Sequence, residues 1–510
     1  MKLFKRFLFI NLYLFIFKNN KNINLNDLNF KKLDFSNYKQ IKSFIFKDKF
    51  YNLKNKYVQN FDFLNFSQNL GGKIGIGLSK NSIFSWFKIN KKKINYPWIN
   101  DLSSKRLINL VYNYEFISSS CSSSENYLLK KIIFFHINRV LYEFKNKNEN
   151  EISSDEIKAS ILSYFILGKI NNKIIIYAEK LISNQIDNLG VHKSYNILEH
   201  AKFINNLNEL KSIFLYFNYK IPEKINSSLL SMKSILNQYF HVDSTLPLFN
   251  GSNNNYTKII YESLNKEEYL KSRNFNNSNN GIAFYSDKYK KIFFDVVQPN
   301  KDGISRFLSA GTLSFEFSSG NEKIITNCGA SESAGSNPEF LRYSAAHSTI
   351  VLQNTNVSEI KESNPLVKFP QMVSFESNSN EKYIVFEGSH NGYKNKFNQI
   401  VKRRLHISKL ENKLFGEDSI ISLKKNKNRI FYHIRFHLMY GMSFNFTNNK
   451  KNIILKTKNN NMWLFKSDSE LLIDDSIHVD NNNTQYTKQI VIKGIINNTK
   501  HIKKWSIEKI

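Results

Sequence analysis

The hydrophobic residues of this chain change their spacing once, near residue 250, and this change decides the fold class. Between residues 103 and 239 apolar residues recur every three to four positions, which is typical of amphipathic helices. From residue 281 onward short runs alternate apolar and polar residues, as half-buried strands do. A chain of 510 residues is too long for one small core. We therefore predict an α-helical domain followed by an antiparallel β-sandwich, and not a βαβ alternation.

Two stretches rich in glycine, serine and asparagine, residues 251–255 and 274–280, mark the boundary between the two parts. The predicted organisation is an N-terminal extension and irregular segment over residues 1–100, a helical domain over 101–250, a linker over 251–280 and a β-sandwich over 281–510. Residues 71–77 (GGKIGIG) resemble a phosphate-binding loop superficially, but no Lys-Ser/Thr pair follows the last glycine. We interpret them as a turn between short strands.

The N-terminus has the pattern of a secretory signal. Lys2, Lys5 and Arg6 precede an apolar run over residues 7–17, which is too short to span a bilayer as a helix. No small-x-small cleavage site follows the run. An aromatic-rich helix docked on the protein is therefore the alternative, and no transmembrane anchor is expected.

The chain has 73 Lys and Arg against 42 Asp and Glu, a formal net charge of +31. Such a charge suggests a polyanionic partner. The lysines are spread along a chain saturated with Lys, Asn, Ile and Phe, as in products of AT-rich genomes, and no Arg-rich block or RNP-like motif occurs. Nucleic-acid binding is therefore not expected. Cys121 and Cys328 have no CxxC or zinc-ligand spacing, so two reduced thiols are favoured over one disulfide.

Several histidines lie where chemistry is plausible. A loop of small residues leads to His347, just before the apolar run 350–352; a catalytic position and an ordinary core-edge position both fit. His390 lies in a polar turn, GSHNGY, between two β runs. His192 follows Gly190 and Val191, shortly before a predicted helix.

A further row lies on one predicted strand, where His433, Arg435 and His437 share a face. Such a row can hold a carboxylated substrate, bind a metal or face solvent. No close pair of acidic residues has the context of a glycoside hydrolase.

The β half resembles the C-terminal domain of the heparinase II/III-like family. The resemblance rests on SRFLSAGTLSFEFSSGNEKIITNCGA, FLRYSAAHSTIVLQNTNVSEI, GSHNGYKNKFNQIVKRRLHIS, FGEDSI and IRFHL, in this order. It is strong over residues 281–495 and faint from Tyr96 onward. YPW, QIDNLGVHKS and LFNG in the helical half resemble the shorter alphaproteobacterial branch, which usually has Asp-Gly-Gly-His where this chain has residues 189–192.

The resemblance implies an incomplete (α/α) toroid followed by an antiparallel β-sandwich, with substrate in the cleft between them. It also implies cleavage of uronic-acid polysaccharides by β-elimination. The C6 carboxylate must be neutralised, a base must remove the C5 proton, and an acid must protonate the leaving O4. No cofactor is required for this reaction. In some relatives β-domain histidines and an aspartate hold a structural metal; no complete ligand set matches here, so a structural divalent metal in the β domain stays open.

The family's motifs transfer three catalytic candidates to this chain. His347 matches the Ala-His-(Ser/Asn)-Thr position and is assigned to acid/base chemistry or carboxylate neutralisation. Tyr393 matches the tyrosine of HxGY and is a candidate phenolic base or acid. His192 is expected to project from the toroid toward the cleft.

Four further residues are candidates for substrate binding. His390 and His437 match other family histidines, Asn250 belongs to the LFNG segment, and Arg435 lies in the row described above. One departure concerns the toroid, where relatives supply an Asn (or His) and a Tyr. This chain has Glu199 where the tyrosine is expected, and Glu125-Asn126-Tyr127 is the nearest upstream match.

The leading hypothesis is a lyase acting on an acidic polysaccharide. A non-catalytic glycan-binding or envelope-assembly protein with the same fold is the alternative, and a hydrolase ranks lowest. Acidic polysaccharides lie mostly outside the cytoplasm. We therefore expect a periplasmic or cell-envelope location, with the cytoplasm as the alternative.

Overall fold

The computed structural model describes residues 59–92, 98, 100–147, 152–168, 172–254, 264, 281–299, 308–331, 339–360, 368–424, 429–447, 449–480, 483–496 and 499–510. The signal-like segment and most of the predicted linker lie outside these residues. The predicted boundaries of the four segments therefore stay a prediction.

Helices dominate the described residues before position 240, as the hydrophobic spacing predicts. They are α1 (Phe63–Leu70), α2 (Gly72–Asn90), α3 (Asn100–Tyr112), α4 (Tyr114–Ser118), α5 (Ser123–Lys145), α6 (Ser154–Ile166), α7 (Asn172–Gln185), α8 (Ile197–Tyr216) and α9 (Glu223–Gln238). Two of them begin at capping boxes. Ser122 with Glu125 starts α5, and Ser153 with Glu156 starts α6; in each box a hydroxyl and a carboxylate satisfy backbone N–H groups that the helix leaves unpaired.

The prediction of a turn between strands at residues 71–77 is wrong, because this stretch joins two helices. Gly71 ends α1 with a positive φ of 65°, a conformation that glycine adopts without strain. Gly75 lies so close to α1 that a Cβ atom there would be 2.1 Å from the carbonyl oxygen of Ser67. The glycines permit a tight helix junction, and not a phosphate loop.

By its contacts the chain divides into two compact units, residues 1–184 with 205–229 and residues 185–204 with 230–510. The first unit is helical. Its buried Arg106 places its guanidinium carbon 4.3 Å from the ring centre of Trp86 and 4.8 Å from that of Trp98. Trp98 is buried and donates its indole N–H to the carbonyl of Asn90 at 2.7 Å. These tryptophans therefore pack the core of the helical unit.

The second unit contains two antiparallel sheets. The strands are β1 (Gly281–Ser286), β2 (Lys290–Val296), β3 (Phe315–Ser319), β4 (Glu322–Thr326), β5 (Ile350–Leu352), β6 (Val373–Ser379), β7 (Tyr383–His390), β8 (Gln399–Ser408), β9 (Lys413–Ser422), β10 (Ile430–Leu438), β11 (Ser443–Phe446), β12 (Asn452–Lys456), β13 (Met462–Ser467), β14 (Leu472–Asp480), β15 (Asn483–Ile496) and β16 (Lys500–Lys509). A short helix, α10 (Lys394–Phe397), precedes β8, and 3₁₀ helices span Glu339–Arg342 and Ser344–Ala346.

The first sheet has the order β1-β2-β3-β4-β10-β15-β14, with β5 also paired to β10, and the second has the order β11-β12-β13-β16-β9-β8-β7-β6. Apolar side chains from both sheets form one core. Strand β10 shows the alternation that builds it. Tyr432, Ile434 and Phe436 belong to the core, whereas His433, Arg435 and His437 share the opposite face, as predicted.

Strand β16 lies in the middle of the second sheet and pairs with β13 on one side and β9 on the other. Its Trp505 packs over Gly416, where a Cβ atom would lie 2.0 Å from the indole ring. The indole N–H donates to the Asp418 carboxylate at 2.9 Å, and Arg403 binds the same carboxylate at 2.6 and 2.9 Å. A buried ion pair and a buried tryptophan thus fix the centre of this sheet.

Strand β3 departs from the simple alternation, because both of its faces are buried. Phe315 and Phe317 enter the sandwich core. Ser314, Glu316 and Ser318 on the other face are also shielded from solvent. Residues 241–248, which belong to the same compact unit, supply the partners that cover this face.

Candidate functional site

His347 follows the 3₁₀ helix Ser344–Ala346 and lies three residues before β5, so its position is set by the first sheet. Its side chain is buried, with 3% of the residue exposed. Among the residues that the structure describes, neither ring nitrogen has a hydrogen-bond partner. Buried polar groups normally have partners, so an imidazole with two free nitrogens indicates a position that a ligand can use.

Gly311 makes room for this imidazole. A Cβ atom at position 311 would lie 2.8 Å from the Cγ atom of His347 and 3.0 Å from its Nδ1 atom. Burial lowers the pKa of His347 to about 4, opposed by the nearby Glu316 carboxylate. At neutral pH the ring is therefore uncharged, with one N–H donor and one lone pair.

Glu316 is the centre of a buried polar cluster that we call the Glu316 network: Glu316, His241, Lys323, Asn327 and the backbone of Leu248. Its Oε2 accepts a hydrogen bond from His241 Nε2 at 2.9 Å and lies 3.3 Å from Lys323 Nζ. Its Oε1 accepts hydrogen bonds from Leu248 N at 3.1 Å and Asn327 Nδ2 at 3.0 Å. Burial alone would raise the pKa of Glu316, but Lys323 and His241 lower it to about 2.

The network extends to the backbone around His347. Asn327 Oδ1 accepts a hydrogen bond from Ser348 N at 2.9 Å. The carbonyl of Ser348 accepts one from Arg403 at 2.6 Å, and its hydroxyl accepts one from His437 N at 2.9 Å. The loop that carries His347 is therefore fixed by ionic and polar contacts, as a positioned functional group requires.

His437 lies next to this loop, and its tautomer follows from its partners. Nε2 donates to the carbonyl of Ala345 at 3.0 Å, so Nδ1 accepts from the hydroxyl of Ser476 at 2.7 Å. The Cys328 sulfur lies 3.6 Å from the same Nδ1. Burial lowers the pKa of His437 to about 3, assisted by Arg435 and His347. His437 is thus a neutral, fully bonded residue beside His347.

A groove of about 970 Å³ opens at His437. We use "the groove" for this cavity, which is bounded by both 3₁₀ helices, the end of β10, and β14 and β15. Its lining includes Tyr343, Ala346, His437, Ser476, Tyr486 and Gln489. Cys328 also lines it as a free thiol, and Cys121 is likewise free, which confirms the expectation of two reduced cysteines.

Asn250 and His192 belong to the same unit as His347. The Oδ1 atom of Asn250 accepts a hydrogen bond from Ser309 N at 3.1 Å, two residues before Gly311. Its backbone carbonyl accepts one from the Asn196 side chain at 3.0 Å. The Nδ1 atom of His192 contacts the Ser194 hydroxyl at 2.7 Å, and burial lowers the pKa of His192 to about 3. Asn250 therefore lies beside the segment that faces His347, whereas His192 is bonded within its own loop.

His390 ends β7 and Tyr393 follows it, with the Tyr393 hydroxyl 3.5 Å from the carbonyl of Ile350 in β5. The Tyr393 hydroxyl donates to the carbonyl of Thr355 at 2.9 Å, and the ring belongs to the sandwich core. Burial raises the pKa of the Tyr393 phenol. His390 is buried beside it, with ring centres 5.6 Å apart, and accepts a hydrogen bond from Gly392 N. This geometry gives both residues a packing role.

Tyr393→Phe therefore tests packing against catalysis. We expect the free energy of unfolding to fall by about 0.5–1.5 kcal/mol, since one buried hydrogen bond to Thr355 is lost. Any catalytic turnover that the wild-type chain shows is expected to change less than twofold. Urea unfolding and a steady-state assay on the same preparations measure the two effects; a loss of turnover with unchanged stability would return Tyr393 to the catalytic candidates.

Acid is expected to destabilise the second unit between about pH 6.5 and pH 4. The pKa of His347 and of His241 falls from 6.5 to about 4 on folding, mainly through burial. Over this range the unfolded chain takes up protons that the folded chain excludes, so stability falls as pH falls. A shift of this size corresponds to roughly 3 kcal/mol per histidine. Urea midpoints measured at half-unit pH steps will show this decline, and a flat profile across the window would contradict it.

The Glu316 network was not predicted from the sequence. The one available signal was a carboxylate inside an apolar strand, and its partner His241 lies 75 residues earlier. No group of three or more His, Cys, Asp or Glu arranged to hold a metal occurs among the residues that the structure describes. Within the same residues, no helix combines the length and apolarity that membrane crossing demands.

Comparison with known proteins identifies this arrangement. The profile "Heparinase II/III-like, C-terminal" matches residues 272–506. The structure of a heparinase III aligns with 98% of this chain and 89% of its own, with a TM-score of 0.72 and 12% identity. The heparan sulfate lyase HepC from Pedobacter heparinus aligns with 90% of this chain and 78% of its own, with a TM-score of 0.64 and 12% identity. No curated protein sequence matches significantly. These likenesses establish the fold, an incomplete (α/α) toroid followed by an antiparallel β-sandwich.

Proposed function

We propose that this chain, which belongs to the heparinase II/III-like family, is a lyase that cleaves an acidic, uronate-containing polysaccharide by β-elimination. The observation that supports the proposal most directly is the imidazole of His347, which is neutral and buried and has no hydrogen-bond partner at either nitrogen within the described part of the chain. Structural neighbours named as heparinase III and heparan sulfate lyase share the fold, which makes a polysaccharide the first class of substrate to test.

In the proposed reaction His347 accepts the C5 proton of a uronate unit. The C4–O4 bond then breaks, the electron pair of the former C5–H bond forms the C4=C5 double bond, and the leaving O4 takes a proton that the imidazolium can supply. A neutral ring at pH 7 is the form that accepts a proton. The uronate carboxylate, once bound nearby, raises the pKa of the imidazole and makes it a stronger base.

A different observation favours a second candidate, a glycan-binding protein without turnover. Both nitrogens of His347 are shielded from solvent, so a sugar reaches them only after neighbouring residues move. Glu199, which stands where relatives have a toroid tyrosine, forms an ion pair with Lys202 at 2.9 Å. A carboxylate bonded in this way does not replace a phenol as a proton donor.

The two candidates predict different outcomes with one panel. Polymers of glucuronate, galacturonate and mannuronate, and sulfated glycosaminoglycans, are incubated with the full chain. A lyase yields products with the ultraviolet absorbance of a conjugated C4=C5 double bond, and mass spectrometry shows fragments without added water. Binding by calorimetry without these products supports the second candidate. Fragments that have gained water would identify a hydrolase. If no polymer of the panel is bound or cleaved, both candidates are rejected.

The proposed substrate also motivates a proposed location in the periplasm or cell envelope. The basic and apolar N-terminal segment, which lies outside the described residues, supports this proposal. Fractionation of the native host followed by N-terminal sequencing tests it, and an intact N-terminus in the cytosolic fraction would contradict it.

A further inference from the structure

Arg435, in the middle of β10, is a partly buried cation without an acidic partner in the described part of the chain. Its Nη1 donates to Gln489 Oε1 at 3.1 Å. Its Nε is shielded from solvent and has no hydrogen-bond partner. Burial lowers the pKa of this guanidinium, opposed by the nearby charge of Asp474. A buried charge is costly unless it is paired, so this position is suited to binding an anion.

A second arginine in the same unit shows how this protein compensates a buried guanidinium. Arg403 binds both oxygens of Asp418 at 2.6 and 2.9 Å and also donates to the carbonyls of Leu313 and Ser348. Every side of that guanidinium faces an acceptor. Within the described residues, the Arg435 side chain donates only to the neutral amide of Gln489. Its positive charge is therefore not neutralised by a carboxylate.

Two acidic side chains near Arg435 form ion pairs with lysines. Asp474 lies 3.3 Å from Lys493 Nζ, and Asp475 lies 2.5 Å from Lys488 Nζ. His433, on the same face of β10, is kept neutral because burial, Arg435 and Lys493 lower its pKa. Two lysines balance two aspartates, so the positive charge of Arg435 is the net charge of this face.

Neighbours of Arg435 and of the His347 loop line the groove. Gln489, which accepts the hydrogen bond from Arg435, lines the groove together with His437. Exposed aromatic rings of Phe340, Tyr343 and Tyr486 border the same cavity, and Tyr486 is 87% exposed. Flat apolar faces beside a cation are the elements that bind the ring and the carboxylate of an acidic sugar.

We propose that Arg435 is a carboxylate-binding subsite, where a uronate unit of a polysaccharide in the groove pairs with the guanidinium. That a uronate binds here rests on the proposed function. That the Arg435 guanidinium has no carboxylate partner is an observation on the described residues. The backbone N–H of Arg435 donates to the carbonyl of Thr349 at 3.0 Å, and Thr349 follows His347 by two positions. The subsite therefore lies on the strand that supports the His347 loop.

The test compares Arg435→Gln with Lys504→Gln, which removes an exposed charge from the second sheet, away from the groove. The probes are the uronate oligosaccharides of the panel and their carboxyl-reduced forms, which keep the sugar rings but lose the anion. A lost charge-assisted hydrogen bond weakens binding by about 10- to 100-fold. We expect this loss for Arg435→Gln with the carboxylated oligosaccharide, no change with the reduced form, and wild-type behaviour for Lys504→Gln.

Arg435→Lys is the second variant, since it keeps the charge but cannot bind two oxygens in one plane; binding weaker than wild type and tighter than Arg435→Gln is expected. Equal affinity of Arg435→Gln and wild type for the carboxylated probe would overturn the subsite. If the wild-type chain binds a sulfated glycan equally tightly before and after carboxyl reduction, sulfate and not carboxylate is the group that is recognised. Calorimetry measures binding without requiring turnover. If no unsaturated product forms, the proposed lyase activity is rejected, but the binding test of the Arg435 subsite still holds.

Discussion

His347→Ala is expected to lower turnover of any polymer that the wild-type chain cleaves by about 10²- to 10⁴-fold, the usual contribution of a positioned proton-transfer group. The affinity for the polymer should change less than fivefold, because the neutral imidazole contributes little charge to binding. Initial rates of double-bond formation, measured at several polymer concentrations, separate the two effects. His347→Gln keeps a polar side chain without a titrating nitrogen and should be equally inactive.

His478→Ala is the matched control for this prediction. His478 is buried in β14, and its pKa is lowered to about 4, chiefly by burial. It therefore shares the environment of His347 but not its place beside Gly311. If both alanine variants lose turnover in proportion to lost thermal stability, His347 is a packing residue. If His347→Ala retains full turnover, the proposed base is wrong.

Glu316→Ala is expected to lower the free energy of unfolding by about 3–5 kcal/mol, because it leaves the buried ammonium of Lys323 without its carboxylate. The backbone N–H of Leu248 and the amide of Asn327 lose their acceptor in the same step. Urea unfolding followed by tryptophan fluorescence measures the loss. Since the pKa of Glu316 is lowered from 4.5 to about 2, this stabilisation is complete above pH 4.5 and disappears as pH falls toward 2.

Glu387→Ala provides the comparison on the solvent-exposed face of the second sheet. Glu387 contacts Lys402 and Arg404, but all three side chains remain partly exposed. An exposed ion pair is worth about 0–1 kcal/mol, so a small loss is expected despite the greater number of ionic partners. Similar losses for both variants would contradict the distinction between the Glu316 network and a surface ion pair.

The fold was largely readable from the sequence because its periodicity is strong. The apolar spacing over residues 103–239, which includes Ile157, Ile161 and Phe165 of α6, predicts helices, and the alternation in residues 432–437 predicts both faces of β10. The prediction of a turn between strands at residues 71–77 was wrong, since glycines are as common at a tight helix junction as in a turn. That choice depends on how closely Gly75 approaches Ser67, a tertiary distance that local sequence does not encode.

The site was less predictable for a related reason. His347 stood out because a loop of small residues leads to it, and the structure adds the cause, since Gly311 leaves room for its ring. Tyr393 also matches a family motif, but its ring lies in the core and its hydroxyl donates to the carbonyl of Thr355. A motif does not reveal which carbonyl accepts the hydrogen bond of a hydroxyl. The alternation of residues 313–318 predicts a solvent-exposed side for Glu316, since the residues that cover it, such as His241, are remote in sequence.

The central position of β16 has a consequence for biosynthesis. The second sheet consists of two blocks, β6–β9 and β11–β13, and residues 500–509 join them by pairing with β9 and β13. Until the ribosome has made these ten residues, both blocks present an open edge to neighbouring nascent chains. The pairing also spans long sequence separations, which slows folding. Heterologous yield should therefore respond to slower translation, lower temperature or chaperones that hold nascent chains apart.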